Sequence, residues 1–231
     1  MKTKLVNLII ILVIFATTLA AILLLPDGDV PTHFGPTGEP DDWGSKYTLL
    51  ILPASVLLIW ILADRNINVF TKNLKEIDED KAESHIRTNQ KAVHTTITAL
   101  ALVMMLLNFV IIYLTFSHLP SYNLPVIDTF KIIAVLIGLM LIFMGNIMPK
   151  TRTNSLVGLR CKWTMYNDNT WRKSNFFAGV CSMISGALAV VAGLAFSGIV
   201  AVMILFGVMI CATVVMLVYA CAIYNKEQGN G

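Results

Sequence analysis

The chain has 231 residues, of which 56% are hydrophobic and only 13% charged, with a formal net charge of +3. A soluble domain carries roughly a quarter of its residues as Asp, Glu, Lys or Arg, so this composition excludes an ordinary water-soluble enzyme or nucleic-acid-binding domain. The apolar residues come in blocks of about twenty, the number a helix needs to cross roughly 30 Å of hydrocarbon. The predicted fold class is therefore all-α, a polytopic transmembrane helix bundle of six spans with both termini cytoplasmic.

The first block runs from Leu5 to Leu25 behind Lys2 and Lys4. A secretory signal peptide would share that basic start, but this apolar run is longer than a signal core and no small-x-small cleavage site closes it before Pro26. The connection 26–46 holds four prolines and four glycines in twenty-one residues. That density forbids a continuous helix and predicts a set of tight turns. Phe34 and Trp43 would be out of place in a flexible tether, so the loop is expected to pack on the bundle or the lipid headgroups.

Span two covers Tyr47 to Ala63, and the charged stretch 64–91 follows. Its mixed signs, from Lys72 and Lys75 through Glu83 and Arg87, fall at helical i,i+4 spacings and predict a solvated extension of spans two and three. Span three is Val93 to Phe116 and span four Val126 to Met148, where Asp128 and Lys131 stand at i and i+3 and are expected to pair. A basic loop over 149–174 leads to span five, Asn175 to Phe196. Its small residues Gly179, Ser182, Ser185, Gly186, Ala189 and Gly193 predict close helix packing. Gly207, Met203, Met209 and Met216 read the same way in span six, Ile199 to Tyr224. Because those last two blocks meet at Ser197-Gly198, one long buried segment or a re-entrant pair is the alternative to two crossings.

Sidedness follows from the basic residues, which resist translocation. Fifteen of the seventeen lie at the termini or in the connections 64–91 and 149–174, while Asp27, Asp29, Glu39, Asp41 and Asp42 crowd the first outer loop. Chemistry-bearing clusters are scarce. No paired carboxylates, activated nucleophile or H-E-x-x-H motif appears, so no catalytic residue, cofactor or metal is assigned and the chain reads as a non-enzyme, with an intramembrane enzyme the least favoured alternative. His33 and His118 are weak metal candidates on one side of the membrane. None of the four cysteines falls in an outer loop, and no disulfide is expected.

Two loop patterns are specific. Asn146, Pro149, Lys150, Arg152, Asn154, Gly158, Leu159, Arg160, Trp163, Thr164, Trp171 and Lys173 fill N-x-x-P-K-x-R-x-N-x-x-x-G-[IL]-R-x-x-W-T followed by W-x-K. This stretch resembles the signature of the SdpI family. The outer loop, through Leu25, Pro26, Val30, Pro31, His33, Phe34, Gly38, Pro40, Asp41, Trp43 and Lys46, is similar to a module of unknown function that often precedes that signature. Ser174-Asn175-Phe176 departs from the residues that usually follow W-x-K, which puts one loop contact in doubt.

The resemblance implies two modules. Residues 1–91 would form a two-span unit with the acidic outer loop 26–46 and the charged inner loop 64–91; residues 92–231 would form a four-span unit with the basic inner loop 149–174. It further implies a bacterial plasma-membrane immunity protein that protects against a secreted peptide toxin and sequesters a DNA-binding repressor at the membrane, without binding nucleic acid itself. Asp27, Asp29, Pro31, His33, Phe34, Gly38, Asp41, Asp42 and Trp43 would then face the toxin, with the carboxylates attracting a cationic peptide. The inner cations would meet the repressor or membrane lipids. The alternative is a membrane binding or transport protein for a lipid or small amphiphile.

Overall fold

A computed structural model describes residues 2–37, 39–77, 79–122, 124–125, 127–154 and 156–229, the side chains of Lys2 and residues 67–87 excepted. Gly38 and the charged side chains from Lys72 to Arg87 therefore lie outside the described residues. The elements are α1 (Lys2–Leu24), β1 (Asp29–Phe34), β2 (Pro40–Ser45), α2 (Ile51–Ile77), α3 (Glu79–Ser117), α4 (Thr129–Ile147), α5 (Asp168–Ala195) and α6 (Ile199–Gly229), with 3-10 turns at Lys46–Leu50 and Met148–Lys150. Among the described residues six helices are long and apolar enough to cross a membrane. The protein is a multi-pass membrane protein.

Residues 64–77 and 79–91 continue α2 and α3 in helical backbone, as expected of an extension of both spans. The last two blocks are separate long helices. Their turn is clasped by Asp128, whose Oδ1 accepts the Lys131 backbone N–H at 3.2 Å as N-cap of α4, while Oδ2 accepts the N–H of Gly198 at 2.7 Å. The expected Asp128–Lys131 side-chain pair is absent among the described residues. A carboxylate near hydrocarbon gains more by satisfying two backbone donors that have no water to turn to.

Lipid supplies no hydrophobic force between helices, so packing and interhelical hydrogen bonds hold the bundle. Between α1 and α3, Thr98 Oγ1 donates to Asn7 Oδ1 at 2.7 Å and Thr18 Oγ1 to Asn108 Oδ1 at 3.1 Å. Around them Ile10, Ile11, Ile14, Val56 and Ala101 form a buried cluster of α1, α2 and α3. Lys4 Nζ reaches Asp64 Oδ1 at 2.5 Å, tying the start of α1 to α2.

The most extensive contact is α4 against α5. Gly138 and Gly145 in α4 are seven residues apart, as are Gly179, Gly186 and Gly193 in α5, and seven residues return to the same helix face. The two sets meet antiparallel: a Cβ on Gly145 would stand 2.5 Å from the Gly179 carbonyl oxygen, and one on Gly138 would stand 2.7 Å from that of Gly186. The expected small-residue packing of span five is thus present, with partners in α4. The same expectation fails for much of α6, where Gly207 has nothing within 4 Å and Met203 is 66% exposed. Only Met216 joins a core cluster, with Met148 and Ala178. Span six has a single packed face, and its other sides meet lipid.

Candidate functional site

The stretch between α4 and α5 is an ordered scaffold. Pro149 closes α4 in a 3-10 turn, where its ring lies against Gly179. Asn154, 3% exposed, organises the next turn: Nδ2 donates to the carbonyls of Arg152 and Val157, and Oδ1 accepts the N–H groups of Leu156 and Val157 at 2.8 and 2.7 Å. One amide side chain thus satisfies four backbone groups, which a buried loop must find internally. Gly158 has φ 123°, a left-handed backbone that favours glycine, and a Cβ there would lie 2.5 Å from Asn175 Oδ1.

Asn175 answers the doubt left by the sequence. Its Oδ1 accepts the Leu159 N–H at 2.7 Å and its Nδ2 donates to the Trp171 carbonyl at 3.2 Å, so it anchors the loop to α5. Thr164, fully buried, donates to the Leu159 carbonyl at 2.8 Å. Trp171 is 2% exposed, and its indole N–H donates to the Thr151 carbonyl at 3.1 Å. Asn167, Asp168 and Asn169 begin α5: Asn167 is its N-cap in a reciprocal capping box with Thr170. Span five therefore starts seven residues before Asn175.

The remaining signature residues form the surface of this scaffold. Lys150 Nζ donates to Asn146 Oδ1 at 3.0 Å, Lys173 Nζ lies 3.5 Å from Glu227 Oε1, and Lys162 Nζ stands 5.8 Å from the centre of the Trp163 ring. Asn169 also donates to Glu227, which closes α6 onto the start of α5. Arg152 and Arg160 are exposed. Asn89 of α3, which no sequence pattern singled out, is 2% exposed; it accepts the Arg152 N–H at 3.1 Å and donates to the Thr153 carbonyl at 3.3 Å. A cleft of about 520 Å³ opens beside these residues between Lys150, Arg152, Asp168 and Arg172.

At the opposite ends of the helices, the Pro/Gly-rich loop is an antiparallel hairpin, not a set of turns. Val30 pairs with Gly44 and Pro31 with Trp43, and the register shifts on either side of His33. Pro31 hid the strand pattern, since proline lacks a ladder donor and is confined to sheet edges, which is all a two-stranded ribbon has. Val30, 1% exposed, packs with Leu25, Leu49 and Leu119, seating the hairpin on the bundle. Lys46 Nζ donates to the Leu25 carbonyl at 3.1 Å and pairs with Asp27 at 3.2 Å.

The acidic residues of this face are partly matched. Besides Asp27, Asp41 Oδ1 lies 2.5 Å from His33 Nδ1, Asp42 accepts the Trp43 N–H at 2.9 Å, and Glu39 Oε2 lies 3.9 Å from His118 Nε2. His118 Nδ1 is 2.9 Å from the Leu114 carbonyl, which can only accept, so Nδ1 carries a proton. The two histidines thus have separate partners, and among the described residues no group of three or more His, Cys, Asp or Glu is arranged to hold a metal. Phe34 packs edge-on to the His118 ring at 5.3 Å, whereas Trp43 is 46% exposed. Beneath Pro31, His33 and Phe34 lies an apolar groove of about 540 Å³, walled by Leu49 and Leu52, by Ile111 of α3 and by Phe130 of α4.

The SdpI/YfhL protein family matches residues 150–220, and the domain of unknown function DUF1648 matches residues 9–57. The loop scaffold and the helices that follow it resemble the SdpI/YfhL family. The chain is 23% identical over 230 residues to the immunity protein SdpI of Bacillus subtilis (strain 168), covering 100% of both chains. It is also 44% identical over 66 residues to an uncharacterized protein of Archaeoglobus fulgidus, covering 29% of this chain and 33% of that one. No solved structure matches at a comparable level. The SdpI match covers the loop scaffold, α5 and most of α6, while the other match covers most of α1, the hairpin and the start of α2. Asn89, Gly138 and Gly145 fall outside both matches, yet they hold the SdpI region to the rest of the bundle.

Proposed function

We propose that the protein is a plasma-membrane immunity or signalling protein that protects its cell from a secreted membrane-active peptide. The full-length likeness to an immunity protein supports the reading, and the apolar groove under the hairpin is the observation that carries it. The distribution of basic residues supports an outward hairpin and cytoplasmic termini. A peptide partitioning into the outer leaflet then meets Pro31, Phe34, Leu52, Ile111 and Phe130 at the depth its apolar side chains occupy. A groove of this size falls within the range of ordinary ligand pockets and takes a few peptide side chains, not a whole helix.

The carboxylates play a smaller part than their number suggests. Asp27 is offset by Lys46 and Asp41 lies against His33, so steering of a cationic peptide falls mainly to Asp29, Glu39 and Asp42. On the opposite face, Arg160, Lys162 and neighbouring cations of the scaffold form the surface on which a cytoplasmic repressor would dock.

The test is survival of a sensitive host that expresses the protein and is challenged by a peptide-producing strain. Leu52→Trp fills the groove and is expected to lower the protective concentration ratio about tenfold, equivalent to about 1.4 kcal/mol of binding, with unchanged protein in the membrane. Wild-type protection by Leu52→Trp refutes the groove as the peptide site. Wild-type protein that protects against no peptide from neighbouring producers refutes immunity and leaves lipid or amphiphile binding. Repressor capture is read separately, as co-sedimentation of the regulator with membranes that is lost in Arg160→Ala while protection is kept.

A further inference from the structure

The cleft between α4, α5 and Thr88 of α3 has a charge pattern that immunity against an outside peptide does not use. Among the described residues its wall carries three cations, Lys150, Arg152 and Arg172, and the single acid Asp168, with the hydroxyl-bearing side chains of Thr88 and Thr153 between them. Asp168 is already occupied: its Oδ1 accepts the Thr153 hydroxyl at 3.2 Å, and it sits in the first turn of α5, where the helix dipole favours a negative charge. Among the described residues neither the Arg152 nor the Arg172 guanidinium has a side-chain partner. Lys150 is held toward the cleft end of α4 by Asn146.

The floor is rigid for a stated reason. The Arg152 backbone is pinned to Asn89 of α3, and the Thr151 carbonyl to the Trp171 indole, so the cations project from fixed backbone. The depth matters equally. Lys150 and Asp168 stand where two apolar helices end on this face, so the cleft opens where hydrocarbon gives way to headgroups. Arginine presents a planar fork of donors that matches phosphate oxygens, and basic pockets between transmembrane helices are suited to anionic headgroups.

We propose that this cleft is a binding site for a phosphate group, held by Arg152 and Arg172 with Lys150 at its rim. The chemistry is a phosphodiester or phosphomonoester anion, supplied either by an anionic phospholipid headgroup in the same leaflet or by a soluble phosphate-bearing molecule. The site is independent of the immunity reading, since it faces away from the hairpin groove and needs no peptide.

The experiment uses the purified full chain in neutral maltoside micelles, with thermal unfolding followed by tryptophan fluorescence during titration with phosphatidylglycerol, phosphatidylcholine or inorganic phosphate. Phosphatidylglycerol is expected to raise the midpoint where phosphatidylcholine does not. Each near-surface cation contributes about 1 kcal/mol toward an anionic lipid, close to fivefold in affinity, so Arg152→Gln with Arg172→Gln, which removes two, should weaken the response about 25-fold. Arg152→Lys with Arg172→Lys should keep most of it, and this pair also serves if the glutamine pair does not fold. Lys162→Gln, on the exposed loop outside the cleft, should bind as wild type. Stabilisation by inorganic phosphate alone, abolished by the glutamine pair, identifies a soluble ligand in the same site. An undiminished response in the glutamine pair, an equal loss in Lys162→Gln, or no response to any phosphate overturns the proposal.

Discussion

Gly145→Ala should separate the two most closely packed helices of the protein. The added methyl would lie 2.5 Å from the Gly179 carbonyl oxygen, 2.8 Å from Met183 Cγ and 2.9 Å from the Met183 backbone nitrogen. Two of these atoms belong to the α5 backbone and cannot turn aside as a side-chain end would. Ordinary van der Waals contact begins at 3.4 Å on the same measure, so α5 must retreat by nearly an ångström at this level. The retreat would also loosen the Gly138–Gly186 crossing, two turns away, because both pairs share one interface. Overpacking of this kind costs about 1–3 kcal/mol. It is opposed only by the backbone entropy that alanine saves in a helix, about 0.5–1 kcal/mol. The matched control is Gly207→Ala in α6, where nothing lies within 4 Å and only the helix gain applies. Reversible unfolding in mixed micelles should show Gly145→Ala less stable than wild type and Gly207→Ala equal or more stable. If Gly145→Ala is as stable as Gly207→Ala, the close approach of α4 and α5 does not hold the bundle together.

Other substitutions test the loop and the helix contacts. Trp171→Phe leaves the buried Thr151 carbonyl without its donor and should cost about 1–3 kcal/mol; faster trypsin cleavage at Arg160 and Lys162 would report the loosened loop, and wild-type cleavage kinetics would refute the pinning role. Gly158→Ala forces an unfavourable left-handed backbone and a contact with Asn175, so a loss of about 2 kcal/mol or more is expected, read as a lower unfolding midpoint; an unchanged midpoint would refute the need for glycine at this turn. A double-mutant cycle on Thr18→Ala and Asn108→Ala should give a coupling of about 0.6 kcal/mol, the mean for interhelical hydrogen bonds in lipid; zero coupling would mean the two side chains find other partners.

The sequence alone determined the membrane crossings, because about twenty consecutive apolar residues have no stable place other than hydrocarbon. The two loop motifs were equally legible, since Pro, Gly, Asn and Trp at fixed spacings mark backbone conformations that few residues allow. Their roles were less so. Asn154 and Trp171 proved to be buried scaffold and Gly158 a half-buried turn, while Arg152 lines a cleft, and a motif read as letters does not separate the two. Asn89 carried no signal at all: a lone Asn at the foot of an apolar span matters only because α3 places it against the Arg152 backbone. The hairpin escaped notice because Pro31 and the register shifts around His33 break the alternation that announces a strand. The matching of Asp27 with Lys46, of Asp128 with the α5–α6 turn and of Gly145 with Gly179 joins residues 19, 70 and 34 positions apart. Local propensity cannot encode such pairs; they arise when helices pack in a solvent that leaves every buried polar group to find its partner within the protein.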